Sequence, residues 1–577
     1  MKRLLALILL LTTLAAQAGG IDDIRQALET ATSAQVQEKV YIHTDNQCYF
    51  VGDTLWYKAY VVRADNLQPT DMSRLLYVEL LSPDGLLVER QTIVVASNGY
   101  TCGQFALQDS LYSGYYELRA YTRWMLNFNV REHRYSTHDT WLFYNRRMAA
   151  DYFRVWDGLY SRVLPIYSKP DGPGDYDARR MYQRPKTRLP RVKKDDLVVT
   201  FYPEGGHLVE GVENRVAFEV TDQHGEAVNI SGTIEGEGME PVSIKTEYMG
   251  RGSFMVTPNG RKMKARFSWR GKEWNETLPQ AERSGVSLCL KGRRANLKVP
   301  LQLQGRECAL SVLCRGRLVF FQPLQLQQDQ TIELSVDQLP TGVNDLVVFD
   351  GDGQILADRL FFVNHHDYDD HLITSTIAAN HTYAPYEHIS VPIQLEGVSQ
   401  PTTFSVSIHD TNTDEPTYDD GNLMTDLLLS SELRGFIARP AHYFEADDDV
   451  HQRHLDLLMM VQGWRKYKWA ELAQGEREMR YQPETTLTVE GTVYRMLNIN
   501  PVEPDEVSSW QDGVGLISRS NSLGEEDYID PFGEETEGDG LISTDDLPTT
   551  NDNSAIESIE YGDINSANDN VGVNHGN

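Results

Sequence analysis

The residues with metal-binding chemistry fall in two short runs: His365-His366-Asp367 with Asp369-Asp370-His371, and Asp447-Asp448-Asp449 with His451 and His454. Imidazole and carboxylate both ligate divalent ions, and His451 and His454 would share one face of a helix. The H-E-x-x-H pattern is absent and no third ligand is fixed by spacing, so both runs read as solvated clusters between elements. Asp350-Gly351-Asp352-Gly353 lacks the third acidic or Asn position and the terminal Glu of a calcium loop, and between two apolar runs it reads as a hairpin turn. Neither G-x-S-x-G nor a P-loop occurs, and a glycosidase pair is defined by carboxylate separation rather than by sequence. The expectation is a chain that is not an enzyme, with no catalytic, metal or cofactor residue assigned.

Two other groups carry chemistry. Cys48 and Cys102 fall in the same expected β-sandwich and are a possible disulfide, while Cys289, Cys308 and Cys314 leave one thiol over. Trp464-Arg465-Lys466-Tyr467-Lys468-Trp469 is an aromatic and basic cluster of the kind enriched at interfaces and is the candidate partner contact; its alternative is docking a helix onto a sandwich. Trp56, Tyr57, Tyr115, Tyr116 and Trp124 read as sandwich core rather than a sugar cleft.

The elements that position these residues are mostly strands. From Lys39 to Val62, Val40, Ile42, Leu55, Tyr57 and Ala59 alternate with polar neighbours around a Val51-Gly52-Asp53 turn. Strand patterns with turn signals then continue to Asn145, from Leu197, from Gly285 to Asn364, and again from Leu372. At Asn422 to Ile437 and Gln452 to Leu472 the apolar period becomes helical, and Ile21, Ile24 and Leu28 predict a lead-in helix. At 577 residues the chain is too long for one core. Lys2-Arg3, the apolar run Leu4 to Leu14 and Ala16-Gln17-Ala18 read as a secretory signal peptide, and no later stretch is a membrane span.

The net charge is −31, but residues 501–577 hold 19 acidic residues against Arg519 alone, which places −18 in a segment poor in apolar residues. That composition predicts a disordered acidic tail. No domain carries a basic footprint, which excludes nucleic acid as the expected partner.

Thr44-Asp45, Tyr49 and Gly52-Asp53-Thr54, followed by Gly103-x-Phe105 and Ser113-Gly114-Tyr115-Tyr116-Glu117-Leu118, resemble the opening of a macroglobulin domain. Phe201-x-Pro203-Glu204-Gly205-Gly206, Gly250-x-Gly252-x-Phe254, Leu339-Pro340-Thr341-Gly342-Val343 and Ala357-Asp358-Arg359-Leu360-x-Phe362 are similar to later modules of bacterial macroglobulin-domain (alpha-2-macroglobulin N-terminal-like) cell-envelope proteins. Leu428-Leu429-Ser430-Ser431-Glu432-Leu433-x-Gly435 and Gln462-Gly463-Trp464-Arg465 resemble their helical insertion. Longer members continue into a carboxypeptidase-regulatory-like domain and a TonB-dependent receptor plug; here the acidic tail follows Thr485 to Tyr494. The covalent trap of the thioester-bearing members needs Cys-Gly-Glu-Gln, and Cys102-Gly103-Gln104-Phe105 does not supply it.

The resemblance implies a mainly β protein of tandem macroglobulin- or immunoglobulin-like sandwiches with a helical insertion. The expected boundaries are a signal peptide at 1–18, lead-in helix 19–38, sandwiches 39–148, 196–284 and 285–365, and a linker 149–195. A further sandwich 366–483 with helical insertion 422–472, the start of a truncated β domain 484–500, and the tail 501–577 complete them. The function implied is an exported, non-enzymatic interaction scaffold in the periplasm or at the outer-membrane surface, with a protein partner and a possible association with an outer-membrane barrel. A non-covalent endopeptidase inhibitor and an accessory subunit or vestige of a TonB-dependent uptake system are the alternatives.

Overall fold

Alternating apolar residues pair into antiparallel sheets from Glu38 onward, and each pair of sheets closes over the side chains that point inward. The computed structural model describes residues 20–83, 85–128, 159–172, 179–181, 196–223, 225–368, 373–375, 383–384, 387–395, 403–409, 420–463, 469–475 and 479–486. The signal peptide, most of the linker, residues 487–500 and the acidic tail lie outside them.

Helix α1 (Ile21–Ala34) leads into the first sandwich. Its strands are β1 (Glu38–Thr44), β2 (Tyr49–Phe50), β3 (Thr54–Arg63), β4 (Leu75–Leu81), β5 (Leu87–Val94), β6 (Tyr100–Ala106), β7 (Gly114–Tyr121) and β8 (Tyr160–Tyr167). They form sheets β1-β3-β6 and β2-β8-β7-β4-β5 around a core that includes Ile42, Leu55, Leu80, Phe105 and Leu118. The Thr44-Asp45…Tyr49 run closes the crossing between the two sheets: the Tyr49 hydroxyl donates to Asp45 Oδ1 at 2.7 Å, as does the Trp56 amide at 3.0 Å. Asp53 Oδ2 accepts the Phe50 amide at 2.8 Å across the turn, where Gly52 has φ +99°. Gly103 is equally structural, since a Cβ there would lie 2.3 Å from the Tyr57 hydroxyl.

Strand β8 falls inside the expected linker. It pairs with β7 along its length and with β2 at only two positions. Pro165 is tolerated because the short β2 partners Ile166 and Tyr167 and makes no demand on the missing Pro165 amide.

The second sandwich contains β9 (Leu197–Pro203), β10 (Asn214–Asp222), β11 (Ser231–Gly236), β12 (Val242–Lys245), β13 (Arg251–Val256), β14 (Met263–Trp269) and β15 (Lys272–Thr277). Its sheets are β13-β10-β9 and β12-β11-β14-β15. The third contains β16 (Ser287–Lys291), β17 (Arg294–Lys298), β18 (Glu307–Cys314), β19 (Arg317–Gln325), β20 (Asp329–Glu333), β21 (Gly342–Asp350) and β22 (Ile355–Val363), in sheets β16-β17-β20 and β19-β18-β21-β22. As expected, Asp350 to Gly353 is the β21–β22 hairpin turn, with Asp350 Oδ1 accepting the amides of Asp352 and Gln354.

Strands β18 and β21 are buried on both faces, which their near-continuous apolar runs require. Cys308, Leu310, Val312, Leu346 and Val348 point into the third core. On the opposite face Leu313, Val347 and Phe349 are covered by Ile24 and Leu28 of α1, so the lead-in helix docks on the third sandwich although it adjoins the first in sequence.

Of the expected fourth sandwich the described residues include only β23 (Ile373–Ser375) paired with β24 (Ile393–Leu395), and a segment 403–409 laid against β1 and β3. The insertion supplies α2 (Leu423–Leu428), a 3₁₀ turn Pro440–Phe444, α3 (Asp449–Val461) and α4 (Trp469–Ala473). The helix expected to run to Ile437 stops at Leu428, where Lys39 Nζ donates to Leu427 O at 2.7 Å and Ser431 Oγ at 2.8 Å. The second begins earlier than expected because Asp448 caps it, accepting the amides of Val450 and His451 at 2.9 Å each. No helix among the described residues is long and apolar enough to cross a membrane.

Candidate functional site

The helical junction formed by α2, the 3₁₀ turn and α3 is where the sequence signatures meet. Apolar burial seats it first. Leu429, Leu433, Ile437, Leu458 and Met459 pack on Val343 and Leu360 of the third sandwich, while Leu457, Met460 and Val461 pack on Ala217 of the second. Helix α3 is therefore wedged between two sandwiches.

Buried charge then fixes its position. Glu204, from the Pro203-Glu204-Gly205-Gly206 run, accepts the Arg359 Nε at 2.9 Å, and neither side chain is more than 2% exposed. Arg359 also pairs with Asp456 of α3, whose second oxygen receives Arg215 Nη2 at 2.7 Å. Gly205, at φ +87°, brings its backbone within reach of Leu288: a Cβ there would lie 3.0 Å from the Leu288 Cβ. Desolvation opposes the charge on Arg359, but Asp456 and Glu204 outweigh it and its pKa is raised. A second node joins the insertion to the first sandwich, where Lys39 Nζ lies 2.5 Å from Glu432 Oε1. Gln462 Nε2 donates to the carbonyls of Arg434 and Phe436 at 3.2 and 3.1 Å, closing α3 onto the preceding loop. Beyond α4 the chain returns to the first sandwich, where the Arg74 amide donates to Glu484 O at 2.6 Å and the Tyr77 hydroxyl to its carboxylate at 3.1 Å.

At the other end of α3 polar rings converge. His442 Nε2 lies 3.0 Å from His454 Nδ1, and both rings stack on Tyr248, with centroids 4.3 and 4.4 Å away. His442 Nδ1 is 3.3 Å from Glu445 Oε2, and His451 Nε2 is 3.8 Å from the same oxygen. The other nitrogen of His451, Nδ1, is 2.8 Å from Asp448 Oδ1. Burial lowers the pKa of both His442 and His454, while the His451 amide and ring hold Asp448 down to about 2.

The sequence-level candidates separate on this geometry. His451 and His454 do share a region, but the residue that completes it, His442, was missed; its signal was His442-x-x-Glu445 with His451 six residues on. His366 instead sits 3.4 Å from Asp447, and His365 Nε2 lies 2.8 Å from Leu339 O. Residues 369–371 lie outside the described residues.

Of the candidate partner contact, Trp464, Arg465, Lys466, Tyr467 and Lys468 lie outside the described residues. Trp469 is a correction: it is 1% exposed, its indole N–H donates to Asp345 Oδ2 at 2.7 Å, and it docks α4 beside α1 on the third sandwich. The pairing of Cys48 with Cys102 is also corrected, since the cysteines form no disulfide. Cys48 packs with Phe50 and Tyr167, whereas Cys102 is exposed on β6 opposite Lys58 in the other sheet. Burial pushes the thiols of Cys308 and Cys314 up to about 12 and about 11, away from nucleophilic reactivity.

A Ser–His contact joins segment 403–409 to β1, with His43 Nδ1 2.6 Å from Ser405 Oγ. Tyr60 also donates to that oxygen at 2.8 Å, and among the described residues no carboxylate hydrogen-bonds the His43 ring, so the base lacks the orienting partner of a triad.

No protein-family model matches the chain, and no curated protein matches it. Among solved structures it is similar to native alpha-2-macroglobulin of Escherichia coli, at 10% identity, covering 59% of this chain and 24% of that one with a TM-score of 0.15. Methylamine-reacted Salmonella alpha-2-macroglobulin gives 11% identity, 59% and 24% coverage and a TM-score of 0.15. Dimeric latent PorU from Porphyromonas gingivalis gives 11%, 56% and 34%, and 0.22. The chain spans about a quarter of the length of the two macroglobulins, and at these TM-scores the likenesses carry no argument about activity.

Proposed function

We propose that the chain is an exported, non-enzymatic scaffold of the Gram-negative cell envelope, in the periplasm or at the outer-membrane surface, that holds tandem sandwiches in fixed relation for a protein partner. The observation that supports it is the use of the signature residues. Glu204 meets Arg359, Arg359 meets Asp456, and Lys39 meets Glu432, each across a junction between units. Those residues set the placement of sandwiches and assemble no nucleophile with a base. A rigid array of this kind offers edge strands such as β5 for strand addition, with residues 464–468 as the second contact. An outer-membrane barrel is one such partner, and the sequence resemblance to macroglobulin-domain envelope proteins supports the location.

The test is cross-linking in the native envelope with wild-type chain and with Arg465, Lys466 and Lys468 all replaced by Glu. The expected result is a specific cross-linked protein lost in the variant at unchanged melting temperature. Retention of the cross-link with a lowered melting temperature would assign residues 464–468 to stability instead, and turnover of a peptide or glycoside substrate by the purified chain would contradict the non-enzymatic reading.

A further inference from the structure

The rings at the start of α3 are arranged for something other than packing. His451 Nδ1 faces a carboxylate oxygen of Asp448, which can only accept, so that nitrogen carries the proton and Nε2 presents a lone pair. By the same rule His442 Nδ1, 3.3 Å from Glu445 Oε2, carries a proton in the metal-free protein, and His442 Nε2 accepts from His454 Nδ1 at 3.0 Å. Both nitrogens face Glu445 Oε2, and the three atoms lie within 4.8 Å of one another. Three ligand atoms converge, and an ion binding among them would displace the single proton that His442 Nδ1 shares with Glu445.

We propose that His442 Nδ1, His451 Nε2 and Glu445 Oε2 form a three-ligand site for a divalent first-row transition ion of the zinc class, with a fourth position open to solvent or to a partner's side chain. Metal–ligand bonds of about 2.0–2.1 Å in a tetrahedron place neighbouring donor atoms about 3.3 Å apart. The His442–Glu445 separation is 3.3 Å, the His451–Glu445 separation 3.8 Å, and the two imidazole nitrogens lie within 4.8 Å of each other, so closure draws the His451 ring and Glu445 inward toward His442. Glu445, 48% exposed and held through Oε1 by Arg439 at 3.6 Å, is the most exposed of the three ligands, whereas the two imidazoles are 12% and 17% exposed and supported from behind.

The support behind the ligands is the arrangement metal sites use. Asp448 fixes His451 while its oxygen is itself pinned as the cap of α3, and His454 fixes His442 while Tyr248 stacks on both rings. Nitrogen and oxygen donors suit zinc, copper and nickel rather than calcium or magnesium. Ligands come from the 3₁₀ turn and the first turn of α3, so a bound ion would clip residues 442–451 shut.

The test is calorimetric titration of the full chain with Zn²⁺, and Co²⁺ as a spectroscopic probe, for wild type, Glu445→Gln, His451→Ala and, as a control, His366→Ala. One saturable site is expected, with a tetrahedral Co²⁺ spectrum. Affinity should fall about tenfold or more in Glu445→Gln and His451→Ala and stay unchanged in His366→Ala. Asp448→Asn should weaken it by about tenfold without removing a ligand. Circular dichroism separates ligand loss from misfolding, and Glu445→Gln, altering an exposed side chain, is the variant expected to keep the fold. Absence of saturable binding in wild type, or equal affinity in a folded Glu445→Gln, His451→Ala double variant, would overturn the proposal.

Discussion

The two ends of α3 lie about 20 Å apart along one helix and obey different physics. At the C-terminal end Leu457, Leu458, Met459, Met460 and Val461 are all buried, gripped by the second and third sandwiches, with Asp456 clasped by Arg359 and Arg215 just before them. At the N-terminal end Val450 and Glu445 are exposed, and imidazoles and carboxylates gather around hydrogen-bonded lone pairs. The contrast shows how a scaffold can carry a reactive cluster. Apolar burial and paired buried charge fix the helix at one end, and the cluster at the other is held in place without having to supply stability itself.

The comparison breaks most sharply at Arg359. Arg359→Met leaves buried Glu204 with only the more distant Arg215, 3.9 Å away, and a loss of about 3 to 4 kcal/mol is expected in denaturant unfolding of the cooperative unit containing the second and third sandwiches. Leu458→Ala empties a site between α3 and the third sandwich and should cost about 3 kcal/mol by the same measurement.

Acid should act on the opposite end. Burial lowers the pKa of His442 and His454, which are faced by Tyr248, Glu445, His451, Arg439, Arg453 and Asp448. The folded state therefore favours neutral rings, so their contribution is present above the unfolded value of about 6.5 and is lost as pH falls below it through the lowered folded-state value. Hydrogen exchange over residues 440–454, corrected for intrinsic rates, should accelerate as pH falls below about 6.5 while residues 457–461 stay protected. The smallest effect is expected from Glu445→Gln, within about 0.5 kcal/mol of wild type in metal-free unfolding.

Much of the β architecture was legible because burial on one face leaves a period of two in the sequence, as in β3. The near-continuous apolar runs of β18 and β21, interrupted by Ser311 and by Asn344-Asp345, carry the signal of double burial, but nothing in them says what covers the outer face, because α1 arrives from the far end of the chain. Strand β8 was hidden by Pro165 and its Tyr- and Arg-rich surroundings. The His442–Glu445–His451 cluster was half visible. Sequence placed His451 and His454 on one face, yet His442 joins them only because a 3₁₀ turn folds back over α3 against Tyr248, a residue of the second sandwich. Likewise Glu204, Arg359 and Glu432 were readable as parts of signatures but not as partners of Asp456 and Lys39, since pairing across units is a property of the assembled chain.

Hydrogen exchange on the full metal-free chain, comparing Arg359→Met with Glu445→Gln, tests the division of labour in α3 most directly. Arg359→Met should lose protection together in residues 197–203, 355–363 and 449–461, while Glu445→Gln should match wild type in all three segments. Equal deprotection of α3 by Glu445→Gln, or full protection of the three segments in Arg359→Met, would contradict the account.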